Sequence, residues 1–236
     1  MIKVWLICAC GFFCTPAIAD PSQWPAPMEE TYLGQLMVDQ LEVNRYNGQS
    51  SINWDLTGWY GGDYHRVVLR SEGENVLNDA QGSDLERNDL SYSYLFAPFW
   101  SLQAGLGIRQ SMSTNQREHY GVLGITGLAP YWFEVDSNVI VNETGQLQWL
   151  NEVEYELLLT QTSYLQPRIT ANVNLSDSHR FNRQRGLEKL RIGLRYRVEI
   201  TREFAPYIGM YWQKERETDT SYTTESGVIA GVRMWF

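Results

Sequence analysis

Acidic side chains recur at every second position in one segment of the chain. Glu152, Glu154 and Glu156 alternate with apolar residues, so an extended backbone places the three carboxylates on one face. Other charged residues alternate in the same way in the segments before and after it: Glu134, Asp136, Arg168, Arg191 and Arg195. Carboxylates and guanidinium groups that meet away from water form charge-assisted hydrogen bonds. These residues indicate either a structural network of satisfied charges or a binding site or pathway for a cation.

The elements that position these charges are predicted to be long strands. From position 33 onward nearly every segment alternates apolar and polar residues, which is typical of strands with two different faces. Segments such as 131–141 and 187–201 are 11 and 15 residues long, whereas strands of soluble proteins are most often about 5–6 residues long. No apolar run of about 18 residues follows the first twenty positions, which excludes a bundle of membrane-spanning helices. The sequence predicts an all-β fold, a transmembrane antiparallel up-and-down barrel with an apolar outside and a polar lumen.

The turn residues give the strand count and the orientation. The tripeptide Ala-Pro-aromatic recurs at 97–99, 129–131 and 205–207, and proline favours a tight turn. In the resulting register these turns lie at one end and the longer polar connections at the other, as in outer-membrane barrels with short periplasmic turns. Both termini are then periplasmic. The twelve predicted strands are 35–46, 50–60, 64–73, 85–97, 99–110, 118–129, 131–141, 146–160, 163–175, 187–201, 206–214 and 226–236.

The final segment adds a separate membrane signal. From Val228 to Phe236 apolar residues alternate up to the terminal aromatic side chain. A terminal Phe that closes such a strand resembles the signal read by the barrel-insertion machinery of the outer membrane, and an ordinary edge strand is the alternative. Aromatic residues clustered at strand ends, as in 92–100, are predicted to form interfacial girdles. We expect the protein in the outer membrane, in contact with its lipid.

The N-terminus has the three-part pattern of a secretory signal peptide. A positively charged start at 1–3 precedes an apolar stretch at 4–14 and a small-residue cleavage site at 17–19. Cleavage is expected near Ala19-Asp20. The domain prediction is a signal peptide at 1–19, a short proline-containing periplasmic tail at 20–32 and an outer-membrane barrel at 33–236.

Cysteine use and net charge exclude several classes of function. Cys8, Cys10 and Cys14 are the only cysteines, and the predicted cleavage removes all three, leaving no thiol chemistry in the mature chain. A lipoprotein with Cys10 as the lipid-bearing residue is the weaker alternative. The formal net charge of −9 argues against nucleic acid as a partner, because phosphate binding requires a basic face.

The histidines do not indicate an enzyme. His65, His119 and His179 all lack the His-x-Ser arrangement typical of outer-membrane phospholipase A. The sequence contains no His-Glu-x-x-His zinc motif and no glycine-rich phosphate loop after a strand. We predict no catalytic residues, a triad assembled from distant strands being the alternative. His65 shares a face with Val67 and Leu69 and is expected to point toward lipid or the membrane interface rather than toward a ligand.

Six stretches of the sequence carry a family resemblance: 36–42, 58–63, 97–105, 127–136, 154–161 and 202–209. They resemble the copper resistance protein B family. The resemblance implies an outer-membrane barrel that works in copper homeostasis beside periplasmic copper-handling proteins, with copper as the ion bound and no organic cofactor.

One feature departs from the pattern of that family. Its members commonly carry a Met- and His-rich segment before the barrel. Residues 20–32 of this chain contain one methionine, Met28, and no histidine. Within the barrel, the best match to a family motif with ligand chemistry is Met37 with Asp39, two residues apart on one strand face. Thioether and imidazole groups suit copper. The alternative assigns Met37 to packing in the wall and Asp39 to the lumen charges.

A weaker candidate for a metal-binding pair is Met112 with His119, near an outward loop.

Two functional hypotheses remain: a copper-homeostasis barrel that binds copper or assists its passage, and a structural or adhesion-type barrel with a filled lumen.

Overall fold

The computed structural model describes residues 31–46, 49–77, 83–112, 116–177, 183–217 and 221–236. The predicted signal peptide, its cleavage site and residues 20–30 of the tail lie outside the described residues. The strands are β1 Leu33–Tyr46, β2 Gln49–Gly61, β3 His65–Val76, β4 Ser83–Ala97, β5 Trp100–Ser111, β6 Gln116–Ala129, β7 Phe133–Asn142, β8 Leu147–Glu154, β9 Leu157–Thr160, β10 Ser163–Asn174, β11 Gly186–Val198, β12 Phe204–Arg216 and β13 Tyr222–Trp235.

The strands form one closed antiparallel barrel. Each strand pairs with its neighbours in the chain, and β1 pairs with β13, with Glu42 opposite Gly231. Segments β8 and β9 both pair with β10 and are separated only by Tyr155 and Glu156, so they are two parts of one barrel strand. The result is a twelve-stranded barrel, which confirms the predicted fold class and strand number. Closure pairs every strand on both edges except the four-residue β9, which pairs with β10 alone, and a bilayer requires such closure because it cannot satisfy an open strand edge.

The barrel wall has an apolar outside and a polar inside. Among the described residues, 21 polar or charged residues are buried, against eight that are apolar or aromatic. Large apolar side chains cover the outer face; Leu90 and Leu106 are 57% and 74% exposed. His65 also faces outward and stacks on Tyr92 and Tyr94, as expected for a girdle position. Within the described ranges, no helix is long and apolar enough to cross a membrane.

Two of the three Ala-Pro sequences form turns at the same end of the barrel. Ala97-Pro98 joins β4 to β5, and Ala129-Pro130 joins β6 to β7 through the 3-10 turn Pro130–Trp132. Strands predicted to start at 99 and 131 start instead at Trp100 and Phe133. The backbone of Phe99, Tyr131 and Trp132 is left-handed, with φ of 68° at each, and a strand cannot continue through that conformation.

The prediction of a turn at the third Ala-Pro sequence is wrong. Ala205 and Pro206 lie inside β12, where Pro206 is opposite Val232. The chain reverses earlier, at 199–203, and the proline is tolerated near the start of the strand. The predicted continuous strand 146–160 is likewise interrupted at Tyr155 and Glu156.

The arrangement of turns predicts which end of the barrel faces the periplasm. A cysteine in place of Pro130 should stay unlabelled by a membrane-impermeant thiol reagent on whole cells. A cysteine in place of Thr144, at the opposite end of β7, should be labelled. Both positions are exposed, so accessibility depends on the side of the membrane. Labelling at position 130 with none at 144 would reverse the orientation.

Candidate functional site

The lumen contains a cavity with a volume of about 1040 Å³. Thirteen carboxylate and ten cationic side chains line it, among them Glu72, Glu74, Arg87 and Arg109. Because acidic groups outnumber basic ones, the cavity favours a cation over an anion. This cavity is the candidate functional site, and its walls come from the inward positions of nearly every strand.

Arg168 on β10 connects opposite walls of the lumen. Its guanidinium lies 2.8 Å from Asp39 Oδ2 on β1 and 2.8 Å from Asp55 Oδ2 on β2. On its own side of the barrel, the distances to Glu152 and Glu154 on β8 are 2.6 Å and 3.8 Å. Three strands separate β10 from β1 in the sheet order, so the contact crosses the lumen. A single cation thus compensates four carboxylates from three strands.

Further ion pairs cross the lumen at other levels. Arg70 on β3 donates to Asp136 on β7, and Lys189 on β11 lies 3.1 Å from Glu86 on the opposite strand β4. Glu118 on β6 accepts from Arg183, which precedes β11, at 2.9 Å. Each of these contacts joins two walls of the lumen and narrows it where the two side chains meet.

Glu42 is the most deeply buried charge. Its side chain is fully enclosed, and its carboxylate lies 3.0 Å from both Arg191 and Arg195 on β11. The hydroxyl of Tyr207 donates to it at 3.1 Å. Three donors on two neighbouring strands therefore compensate one carboxylate, which is what a buried charge requires.

A second cluster lies near the end of the barrel that carries the Ala-Pro turns. Glu156 sits at the interruption between β8 and β9 and accepts from Arg197 at 2.7 Å and from Arg233 at 2.6 Å. Glu134 lines the same cavity opposite Glu154, and it forms no ion pair with a described residue. Glu134 is therefore the member of the predicted charge network that stays uncompensated by a direct contact.

The other seven members of that predicted network all take part in ion pairs. Ion pairs in the lumen also involve residues that the predicted network does not contain: Glu42, Asp55, Arg70, Glu86, Lys189 and Arg233. Their inward positions follow from the same period of two, so the alternation could have identified them. Their partners could not be identified in that way, because most of the contacts cross the lumen.

The two residues of the first predicted metal pair lie side by side in the cavity wall. An extra residue at Asp39 shifts the register between β1 and β2, so Met37, Asp39 and Gln40 all line the cavity. The Sδ atom of Met37 lies 3.5 Å from Nη2 of Arg233. Asp39 accepts from Arg233 through Oδ1 at 3.0 Å and from Arg168 through Oδ2. Among the described residues, no group of three or more His, Cys, Asp or Glu side chains could hold a metal ion.

The second predicted metal pair is not brought together. Met112 lies in the connection that follows β5 and is exposed. His119 lies on the outer face of β6, opposite Ile108. Because Ser111 pairs with Gln116, His119 is about three strand residues, or roughly 10 Å, from the level of that connection. Met112 and His119 therefore do not form a common site.

The contacts of Arg168 predict its effect on stability. Arg168→Ala leaves Asp55 without its ion-pair partner and removes the cation shared by three further acids. The loss should be about 3–5 kcal/mol, the usual consequence of breaking a buried pair. Ile169→Ala on the same strand is the matched control, because Ile169 is 46% exposed on the lipid face. Thermal unfolding in detergent micelles measures the difference, and equal losses would contradict a stabilising lumen network.

Comparison with known proteins places the chain in a family. The family model described as copper resistance protein B precursor (CopB) matches residues 32–236. The chain is 33% identical over 208 residues to copper resistance protein B of Escherichia coli, covering 85% of this chain and 69% of that protein. It is 31% identical over 210 residues to the copper resistance protein B homolog of Pseudomonas syringae pv. tomato, with the same coverage.

A solved structure supports the architecture. The NanC porin matches with a TM-score of 0.56 and 10% sequence identity, covering 84% of this chain and 98% of the porin. At that identity the likeness concerns the fold alone, and it agrees with a closed barrel. From the family match over the whole described barrel and the two relatives above 30% identity, the chain belongs to the copper resistance protein B family of outer-membrane proteins.

Proposed function

We propose that this barrel binds copper ions in its lumen and assists their passage across the outer membrane. The observation that carries the proposal is the position of Met37 and Asp39, a thioether and a carboxylate adjacent to each other in the wall of the lumen cavity. Copper is here the ion transported, not a resident cofactor. No step of the proposal requires catalysis, and we infer that the protein is not an enzyme.

The charge of the cavity supports a cationic substrate. Its lining has three more carboxylates than cationic groups, and Glu134 has no ion-pair partner among the described residues. A passage enclosed by low-dielectric walls concentrates ions of the opposite sign. Copper ions entering from either end therefore meet a favourable potential.

The thioether supports copper in particular. Sulfur ligands prefer soft ions such as Cu(I), whereas carboxylates alone suit magnesium or calcium. Among the described residues that line the cavity, Met37 is the one that carries a sulfur atom. Asp39 adds a charged oxygen on the same wall. This combination favours a soft cation over the harder ions that are abundant outside the cell.

The N-terminal residues and the partners belong to the same proposal. We infer that residues 1–19 direct export and are removed, that 20–32 form a periplasmic tail, and that 33–236 form the barrel. The insertion machinery of the outer membrane recognises β13 and the Phe236 that follows it, and periplasmic copper-handling proteins exchange copper with the barrel. The lipid contact follows from the apolar outer face.

A structural or adhesion-type barrel with a closed lumen is the second candidate. The cross-lumen contacts of Arg168, Arg70 and Lys189 favour it, because each one narrows the path. Conductance of the purified barrel in a planar bilayer separates the two candidates. A cation current that depends on copper supports passage. A correctly folded barrel that conducts no current supports the closed alternative.

The proposal predicts a defined phenotype for Met37→Leu. The substitution keeps the volume of the side chain and removes the sulfur. Packing in the barrel wall should therefore be preserved, whereas the contact between the Met37 sulfur and a copper ion should be lost. Adding Asp39→Asn should strengthen the effect. The barrel should still fold, because Arg168 and Arg233 each retain another carboxylate. We expect lower copper tolerance of cells with an unchanged amount of heat-modifiable barrel in the outer membrane.

Deletion of residues 22–30 is the control. The tail offers only Met28 as a soft donor, so its removal should change neither copper tolerance nor barrel assembly. Normal tolerance in the Met37→Leu, Asp39→Asn variant, together with lost tolerance after the deletion, would place the metal site in the tail.

A further inference from the structure

We propose that Arg233 is an exchangeable internal cation: its guanidinium occupies the ion position between Met37 and Asp39, and a singly charged soft ion, Cu(I), takes that position by displacing it. This inference rests on the proposed function and adds to it the oxidation state of the ion and the residue that competes with it.

The guanidinium of Arg233 has the surroundings of a bound cation. Nη2 lies 3.5 Å from the sulfur of Met37, Nε lies 3.0 Å from Oδ1 of Asp39, and Nη1 lies 2.6 Å from Oε1 of Glu156. One thioether and two carboxylates thus converge on a single positive group. An ion that takes up the contacts with Met37 and Asp39 has to replace that group.

The partners of Arg233 do not depend on it alone. Asp39 keeps its ion pair with Arg168 at 2.8 Å, and Glu156 keeps its ion pair with Arg197 at 2.7 Å. Release of Arg233 from Asp39 therefore leaves no carboxylate unpaired. Arg168 differs in this respect, because the carboxylate of Asp55 has no other ion-pair partner among the described residues. Of these arginines, Arg233 can move with the smallest loss.

Exposure and bond strength point to the same residue. The side chain of Arg233 is 19% exposed, against 9% for Arg168 and 3% for Arg197. Its contact with Met37 is weak, because a thioether is a poor hydrogen-bond acceptor for a guanidinium. The same sulfur is a good ligand for a soft metal ion. The exchange gives the sulfur a better partner and leaves Arg233 attached to Glu156.

Charge balance sets the charge of the ion. When one positive group leaves Asp39 and one positive ion arrives, the net charge beside Arg168 is unchanged. A divalent ion would add an uncompensated positive charge next to Arg168, which low-dielectric surroundings penalise. The position therefore suits Cu(I) better than Cu(II).

The test is metal binding by the purified full barrel in detergent, with Ag(I) as a stable monovalent soft probe and Cu(II) as the divalent comparison. Removing a unit charge a few ångströms from the ion should tighten Ag(I) binding in Arg233→Gln at least about tenfold. Arg197→Gln is the matched control, because it also removes a cation from Glu156 and does not touch Met37 or Asp39. Adding Met37→Leu to Arg233→Gln should abolish the gain.

Several results would overturn the inference. The first is Ag(I) binding to Arg233→Gln that is no tighter than binding to the wild-type barrel, which includes the case in which neither protein binds Ag(I) detectably. The second is an equal increase in Ag(I) affinity in Arg197→Gln. The third is an increase in Cu(II) affinity in Arg233→Gln as large as the increase for Ag(I). Failure of Arg233→Gln to assemble would also count against it, since the redundancy of its partners predicts a folded barrel. The proposed function is tested separately from this inference, by the copper tolerance of cells that carry Met37→Leu together with Asp39→Asn.

Discussion

Arg168 carries a buried positive charge that four carboxylates from both sides of the lumen compensate. A bilayer accepts only a closed barrel with an apolar exterior, so the polar side chains of all strands are directed into one narrow space. There, an unpaired charge costs several kcal/mol. The need to pair these charges across the lumen therefore determines which residues line the cavity and how wide it stays.

The strength of the charge pairing differs between parts of the lumen. Glu42 is enclosed by Arg191, Arg195 and Tyr207, and such a site is rigid. Met37 has one weak contact, with Arg233, because a thioether sulfur is a weak hydrogen-bond acceptor. Arg233 also contacts Asp39 and Glu156. The same wall thus combines charges that fix the barrel with charges that can change partners. A cavity of about 1040 Å³ persists between them.

The sequence was sufficient for the barrel because the period of two is a local property of each strand. The alternation predicted twelve strands and placed Glu152, Glu154 and Arg168 on inward positions. It could not predict that Arg168 meets Asp39, 129 residues away, because a contact across the lumen depends on the stagger of the whole barrel. The left-handed backbone at Phe99 and Tyr131, and the register shift at Asp39, were likewise not encoded in the polar pattern.

Where ion pairs bridge the lumen, an ion can pass only if those pairs exchange partners. Opening the barrel by separating Arg168 from its acids would leave several buried charges without partners at once, which is costly. Replacing one shared cation by another keeps the carboxylates of Asp39 and Glu156 compensated throughout. Since Asp39 and Glu156 each contact two arginines, the end of the lumen near the Ala-Pro turns permits such stepwise replacement. Double pairing of carboxylates is therefore the physical feature that would reconcile a stable charged interior with the proposed passage of an ion.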